Sequence, residues 1–302
     1  MLVNKAALSA IFISLKTVFN NAFGTAPTTW KKIAMEVPSN GKSNDYGWLS
    51  RFPRMRRWIG AKQVKSLEGY KYTVVNEDWE ATVEVERNDI EDDQIGIYEP
   101  QARMAGFSAA QLPDEIVYEV VNQGFSARCF DGQYFFDTDH PVGGASVSNK
   151  STAVLSNANL AAAKAGYGAA RTAMKKYKDE EGRSLNVNPN VLLVGPALED
   201  TARMLLTNDK LADDTPNPYK GTAELVVDAR IESDTAWFLL DCSQPVKPFV
   251  YQPRKKPVFV QQTNPEAEDV FNLKKYKFGA EARAAGGYGF WQMAFGSTGT
   301  GV

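Results

Sequence analysis

The chain is poor in the residues that most often carry chemistry. A single histidine, His140, stands among 302 residues, which excludes any centre built on several imidazoles. The two cysteines, Cys129 and Cys242, lie far apart. They cannot staple a fold of this size and are expected to be small buried hydrophobes in a reducing compartment. A formal net charge of −2 lacks the basic excess of a dedicated nucleic-acid binder. No run of roughly eighteen apolar residues occurs, so no membrane-spanning helix is expected.

What is present is an ordinary globular composition, 43% hydrophobic and 23% charged, long enough for one large or two medium domains. Near the N-terminus, Lys5 followed by the apolar residues 6–13 resembles the start of a secretory signal. Lys16 interrupts that run, however, and no small-x-small cleavage site follows. Leu8, Phe12, Leu15, Phe19 and Phe23 instead keep helical spacing. They predict a retained amphipathic helix over residues 4–23, stopped by Gly24 and Pro27.

Beyond it, Trp30–Val37 is a short mixed segment and Ser39–Asn44 a loop. Residues 49–75 hold broken strand signals, with Trp58 and Ile59 on one side of Gly60 and Tyr70, Tyr72 and Val74 alternating on the other. Thr82–Glu86 alternates as a half-exposed strand, and Asn88–Asp93 offers capping and first-turn acids. Residues 101–123 read as a long helix with Met104, Phe107, Leu112, Ile116, Val120 and Val121 on its apolar face. Pro113 inside it kinks the helix or starts a second one. Residues 129–152 are mostly loop. From Ser156 helices and strands alternate. Leu160, Ala163, Tyr167, Ala170, Met174 and Tyr177 follow helical spacing, Val191–Val194 is a buried strand, 197–206 a helix, and 225–227 and 236–240 further strands. Pro245, Pro248, Pro253 and Pro257 mark turns and exit strands. Residues 271–285 and 288–295, split by Gly286-Gly287, are expected as closing strands.

Three places invite a chemical reading. His140 lies near Asp131 and Asp137, and imidazole with carboxylates suits a metal. Asp-x-Asp followed by His-Pro is also how a tight turn reads, and the turn is the expectation. Residues 144–151 miss the phosphate-loop pattern by one position, with Asn149 where glycine belongs. No apolar strand precedes them, so no nucleotide site is expected. The runs Arg254-Lys255-Lys256 and Lys274-Lys275-Tyr276-Lys277 read as solvated strand ends. No catalytic, cofactor or metal constellation follows; no Gly-x-Ser-x-Gly elbow occurs, and the lone histidine has no serine partner.

The strongest signal is electrostatic. Arg51, Arg54, Arg56, Arg57, Lys62, Lys65 and Lys71 face only Glu68 over residues 51–75. Glu77, Asp78, Glu80, Glu84, Glu86, Asp89, Glu91, Asp92 and Asp93 then face only Arg87. Two solvated faces of one domain would show this pattern. So would a basic arm laid on an acidic surface of another copy, where complementary fields set register and partner choice.

Taken together, Ala26–Ala34, the string Tyr46-Gly47-Trp48-Leu49-Ser50-Arg51-Phe52-Pro53-Arg54-Met55-Arg56-Arg57-Trp58-Ile59-Gly60, Val85–Asp93, Pro113-Asp114-Glu115 and Pro189…Leu192-Leu193-Val194-Gly195-Pro196 resemble the major head subunit (gpT) of Mu-like tailed phages and prophages. The likeness spans essentially the whole chain. It implies an α+β, Hong Kong 97-type capsid fold. Residues 1–35 would be an N-terminal arm and 46–75 an extended loop. Residues 36–45, 76–149 and 255–302 would form a peripheral domain with spine helix 101–123, and 150–254 an axial domain. It further implies a self-assembling icosahedral shell of hexamers and pentamers around double-stranded DNA, as part of the virion and assembled in the host cytoplasm. A scaffolding protein, a portal and a decoration or minor capsid protein are the implied partners, with non-specific contact to the genome and no cofactor.

If each side of the loop has about twelve residues, it reaches roughly 40 Å, onto an adjacent subunit. Arg51, Arg54, Arg56 and Arg57 are then expected to meet carboxylates of a neighbour's 84–93 segment (Glu84, Glu86, Asp89, Glu91, Asp92, Asp93) or spine helix. Trp48, Phe52 and Trp58 would be the apolar anchors. Some capsid proteins of this fold crosslink through a loop lysine; Lys62 and Lys65 stand where one would sit, although non-covalent assembly is expected. A small-ligand enzyme built on 150–254 is the alternative from another class, and a DNA-packing protein a third.

Overall fold

A computed structural model describes residues 5–50, 72–92, 95–262, 264 and 268–301. The chain opens with helices α1 (Lys5–Thr25) and α2 (Trp30–Ile33) and strands β1 (Ala34–Glu36), β2 (Ser43–Asp45), β3 (Thr73–Val75) and β4 (Glu77–Glu86). Helices α3 (Arg87–Glu91) and α4 (Glu99–Asn122) follow, then the short strands β5 (His140–Val142), β6 (Ala145–Val147) and β7 (Lys150–Ser151). The next stretch holds α5 (Leu160–Ala163), α6 (Ala169–Lys175), β8 (Val191–Val194), α7 (Glu199–Thr207), β9 (Glu224–Val227) and β10 (Trp237–Leu240). It closes with β11 (Phe249–Gln262), α8 (Glu268–Leu273), β12 (Lys275–Tyr288) and β13 (Ala294–Ser297).

Two sheets carry the chain. The long one has the order β1-β11-β12-β4 and the other β7-β13-β10-β8-β9. In the long sheet β11 and β12 pair antiparallel from Phe249↔Tyr288 to Gln262↔Lys277. Its prolines are tolerated because β1 covers β11 only over Phe249–Tyr251. Pro253 and Pro257 lie beyond that stretch, beside register shifts, on an edge that demands no ladder donor. The expected break at Gly286-Gly287 does not occur. Strand β12 runs through both glycines, because a Cβ on Gly286 would crowd Ile116 and Val120 of α4, and one on Gly287 would crowd Val74. The pair serves close approach, not a turn. Phe271, expected at a strand start, sits in α8 and is 83% exposed.

The second sheet is mixed. β10 runs antiparallel to β8 and β13, while β8–β9 and β13–β7 are parallel. Every residue of β8, β10 and β13 is buried, the continuous apolar signature of strands covered on both faces. Residues 294–297 therefore belong to this sheet, whereas the sequence reading counted them with the peripheral part. The predicted 160–177 helix is present with a π-helical turn over 164–168.

Helix α1 follows its stripe: Leu8, Phe12, Leu15 and Phe19 are fully buried, and Phe23, 36% exposed, lies where the stripe runs out. Phe12 meets Phe278 edge to face, with ring centroids 6.2 Å apart, and Phe19 meets Phe259 at 5.4 Å. The other side of α1 presses on α4, and there the sequence reading needs correction. Met104 is 72% and Phe107 42% exposed. The inward face is instead Ala102, Ala105, Gly106, Ala109 and Ala110, giving way to Ile116, Val117, Tyr118 and Val121. Two helices that approach this closely admit only small side chains between them, so apolar size was the wrong guide. At Gly106 a Cβ would collide with the Phe19 carbonyl oxygen.

Gly106→Ala is expected to lower unfolding stability by about 1–3 kcal/mol through forced separation of α1 and α4. Chemical denaturation of the purified chain measures it; an unchanged midpoint would mean that α1 does not seat there.

Candidate functional site

The sequence Pro113-Asp114-Glu115 sits mid-way along α4, which continues through the proline. Its two acids hold different parts of the chain. Asp114, almost fully buried, accepts the backbone N–H groups of Thr29 at 2.9 Å and Trp30 at 2.7 Å, the start of α2. Thr29 Oγ1 in turn donates to Asp228 Oδ2 at 2.9 Å and lies 2.7 Å from the Tyr118 hydroxyl. Glu115 pairs with Arg230 at 2.7 Å, and Arg230 also reaches Asp228 at 3.2 Å. Burial pushes the Asp114 carboxyl up, while the N–H donors of Thr29 and Trp30 and the Arg230 charge pull it back. One turn of helix thus ties the N-terminal segment and the second sheet to the spine.

His140 is more than a turn residue. It opens the β5–β6 hairpin, whose bend at Gly143 and Gly144 takes positive φ, and it is fully buried. Its ring stacks on Trp291 with centroids 4.0 Å apart. Nδ1 lies 2.7 Å from Asp131 Oδ2, and Nε2 lies 3.2 Å from Asn149 Oδ1. Cys129 Sγ donates to Asp131 Oδ1 at 3.1 Å. The donor atoms of Cys129, Asp131 and His140 all lie within 4.8 Å of one another. Each is already hydrogen-bonded within the group, and burial keeps the Cys129 thiol protonated by pushing its pKa up. The arrangement is a satisfied buried network that fastens the 127–150 region over Trp291. Burial alone would raise the Asp131 carboxyl, but the hydrogen bond and charge of His140 outweigh it and hold the group below its ordinary value.

Of the residues expected at an interface, Arg51, Phe52, Arg54, Arg56, Arg57, Trp58, Lys62, Lys65 and Asp93 lie outside the described residues, as do the side chains of Trp48 and Glu91. Glu84 and Glu86 are exposed on β4, where Lys275 of the adjacent strand reaches them at 2.6 and 3.8 Å. Asp89 accepts the Tyr98 hydroxyl at 2.6 Å. Asp92 is exposed at the end of α3. Asp78 pairs with Arg283 at 2.8 Å. Much of the acidic segment is thus already engaged by its own chain. Sequence reasoning missed both the junction at Asp114 and the network at His140. The partners of Asp114, Thr29 and Trp30, lie 85 and 84 residues away in the chain, so no local spacing marks the junction.

A family profile described as the Mu-like prophage major head subunit gpT matches residues 8–163, 150–231 and 228–300. The chain belongs to this family. It is 32% identical over 294 residues to the major capsid protein of Escherichia phage Mu, covering 97% of this chain and 74% of that one. Among solved structures, the procapsid subunit of bacteriophage JBD30 is 32% identical with a TM-score of 0.61, covering 98% of this chain and 76% of that one. The JBD30 capsid decorated with minor capsid protein trimers gives 26% identity and a TM-score of 0.61, over 77% of this chain and 100% of that one. The mixed two-sheet architecture with its long helix is therefore the Hong Kong 97-type capsid fold. A Mu-like head subunit is a structural protein of the virion shell and not an enzyme.

Two outcomes follow. Asp114→Ala leaves two N–H groups of the α2 start without their acceptor and is expected to cost about 2–4 kcal/mol; a loss under about 0.5 kcal/mol on denaturation would contradict the junction. Asp131, whose folded pKa is depressed, contributes stability that is fully present above its ordinary value of 3.8 and is lost as pH falls through the lower folded value. Asp131→Asn should therefore flatten the dependence of melting temperature on pH below about 4; a slope equal to that of the parent would remove this role.

Proposed function

We propose that this head subunit assembles into hexamers and pentamers of an icosahedral shell around the phage's double-stranded DNA, through contacts made by the N-terminal arm and the extended loop. The observation that carries the reading is the family match along nearly the whole chain. In this reading residues 1–35 are the arm, 46–75 the loop, and 36–45, 76–149 and 255–293 the peripheral part. Residues 150–254, joined by strand β13, are the axial part. Helix α1 braces its own spine helix α4 and offers an outer face on which Ile13 is 59% exposed. The loop carries the reach.

The basic loop residues Arg51, Arg54, Arg56 and Arg57 meet carboxylates of a neighbour, with Trp48, Phe52 and Trp58 as anchors in the fully desolvated centre of the contact. Asp92 is an exposed acceptor on the acidic segment, joined by Glu91 and Asp93; Glu84, Glu86 and Asp89 serve only where they exchange their present partners. Each exposed pair is worth about 0–1 kcal/mol, so the shell is held by many repeated contacts while charge fixes register. Assembly takes place in the host cytoplasm with a separate scaffolding protein and a portal. The finished wall touches the genome without sequence preference and accepts a decoration protein, by analogy with the minor capsid protein trimers on the JBD30 capsid.

Replacing Arg51, Arg54, Arg56 and Arg57 by glutamate is expected to leave soluble subunits that form no shells when co-expressed with their scaffold. Shells at the parental yield in electron micrographs would refute the loop contact. Lys62 and Lys65 are expected to stay uncrosslinked, so mature heads should run as a single band on a denaturing gel; a ladder of oligomers would show the opposite.

A further inference from the structure

Around His140 two electron-rich groups point at each other. The Asn149 side chain is fully buried and its orientation is fixed. Its Nδ2 donates to the carbonyls of Phe135 at 2.8 Å and of Trp291 and Ala294 at 3.3 Å, while Oδ1 accepts the Asp137 N–H at 2.9 Å. His140 Nε2, 3.2 Å from that same Oδ1, therefore carries a hydrogen and donates it. The lone pair of Nδ1 is left facing Asp131 Oδ2 at 2.7 Å. A lone pair and a carboxylate in such contact, shielded from water, need a positive charge between them. A proton meets that need, and so does a metal ion. Asp131 turns its other oxygen, Oδ1, to the Cys129 thiol at 3.1 Å, so thiol, carboxylate and imidazole converge. Among the described residues this is the one group in which three metal-binding side chains bring donor atoms within 4.8 Å of one another. The hold of Asn149 on Nε2 is the outer contact that orients a metal-ligating imidazole.

We propose that Cys129, Asp131 and His140 bind one zinc ion. Magnesium and calcium take oxygen donors, whereas zinc accepts sulfur, nitrogen and carboxylate oxygen together. Sγ and Nδ1 supply one bond each. Both Asp131 oxygens already face the centre, Oδ1 toward Cys129 and Oδ2 toward His140, so the carboxylate fills the other two of four positions. The exchange balances. Zinc brings two positive charges, the thiol proton and the proton shared by Nδ1 and Oδ2 pass to solvent, and the net charge of the buried group does not change. That equality matters because an uncompensated charge in this interior is strongly disfavoured. Burial keeps the thiol protonated, whereas coordination to zinc deprotonates a thiol outright. Two donors bonded to one zinc at about 2.0–2.1 Å lie roughly 3.3 Å apart, so the carboxylate withdraws from Nδ1 by about half an ångström. Its loop has room to give: at Gly132, next to Asp131, a Cβ would meet nothing within 4 Å. The ion clamps the 129–133 loop to the start of β5 and, through the ring stack at 4.0 Å, to Trp291.

Zinc content and a cobalt probe test it on the purified full chain. After incubation with excess zinc and exhaustive dialysis, elemental analysis is expected to find one zinc per chain. Zinc at a hundredfold excess over its dissociation constant should raise the melting temperature by about 5 °C. Cobalt(II) in its place should give the near-ultraviolet charge-transfer band of a sulfur–cobalt bond. Cys129→Ala and His140→Gln are each expected to lower zinc content at least tenfold, and Cys129→Ala to abolish the band. Cys242→Ser should keep both the zinc and the band. If the site variants do not fold, the parent chain and Cys242→Ser decide. Zinc no higher than in the dialysis buffer, or cobalt bound without the sulfur band, overturns the proposal. So does a band lost with Cys242→Ser, which would place the ion on the other thiol. Parental zinc content in either folded site variant would mark adventitious binding by surface carboxylates and overturn it as well.

Discussion

The subunit depends on one helix being gripped from two sides at once. Helix α4 lies on the long sheet through Ile116 and Val120, which meet Gly286 of β12, and it receives α1 along a strip of alanine and glycine. At mid-length its buried Asp114 binds backbone from the N-terminal segment, and the neighbouring Glu115 binds Arg230, just past the edge strand β9 of the second sheet. A buried carboxylate is costly unless donors surround it. Two backbone N–H groups and the hydroxyls nearby supply that satisfaction. The proline just before it has no N–H to lose to the arrangement, and the helix stays whole through it.

This construction explains what was legible in the sequence and what was not. Elements set by a simple period were plain: the Leu8–Phe19 stripe, the alternation at the end of β4 and the apolar run Val191–Val194 all occupy the predicted elements. The long helix was found, but not its inner face. Periodicity weighs side chains by apolar size, whereas the close contact with α1 selects for smallness, so Met104 and Phe107 face outward. Gly286-Gly287 misled for the same reason, since glycine marks a turn and a close approach alike. Pairings between distant segments, such as His140 with Trp291 and Asp114 with Thr29, leave no local pattern. The string shared with Mu-like head subunits carried more functional information than any spacing rule.

A shell built of many copies needs contacts that are weak singly and specific collectively. The acidic segment illustrates how the fold manages this. Lys275 and Tyr98 engage part of its charge within the chain. In the proposed contact what remains exposed is distributed, so no single pair would dominate and register would emerge only when several match. The buried network at His140 is of the opposite kind: it is local, and its polar groups are satisfied within the chain.

The economy of small side chains that seats the spine helix also leaves a hollow beside it. Alanine at 102, 105 and 109 lets α1 approach, and Ala81, Ala280 and Ala282, with Ala109 itself, line a hollow of about 200 Å³ between α4 and β4. The close seat of α1 is therefore set against the contact that bulkier residues in that seam would have added, since filling apolar space favours the folded state.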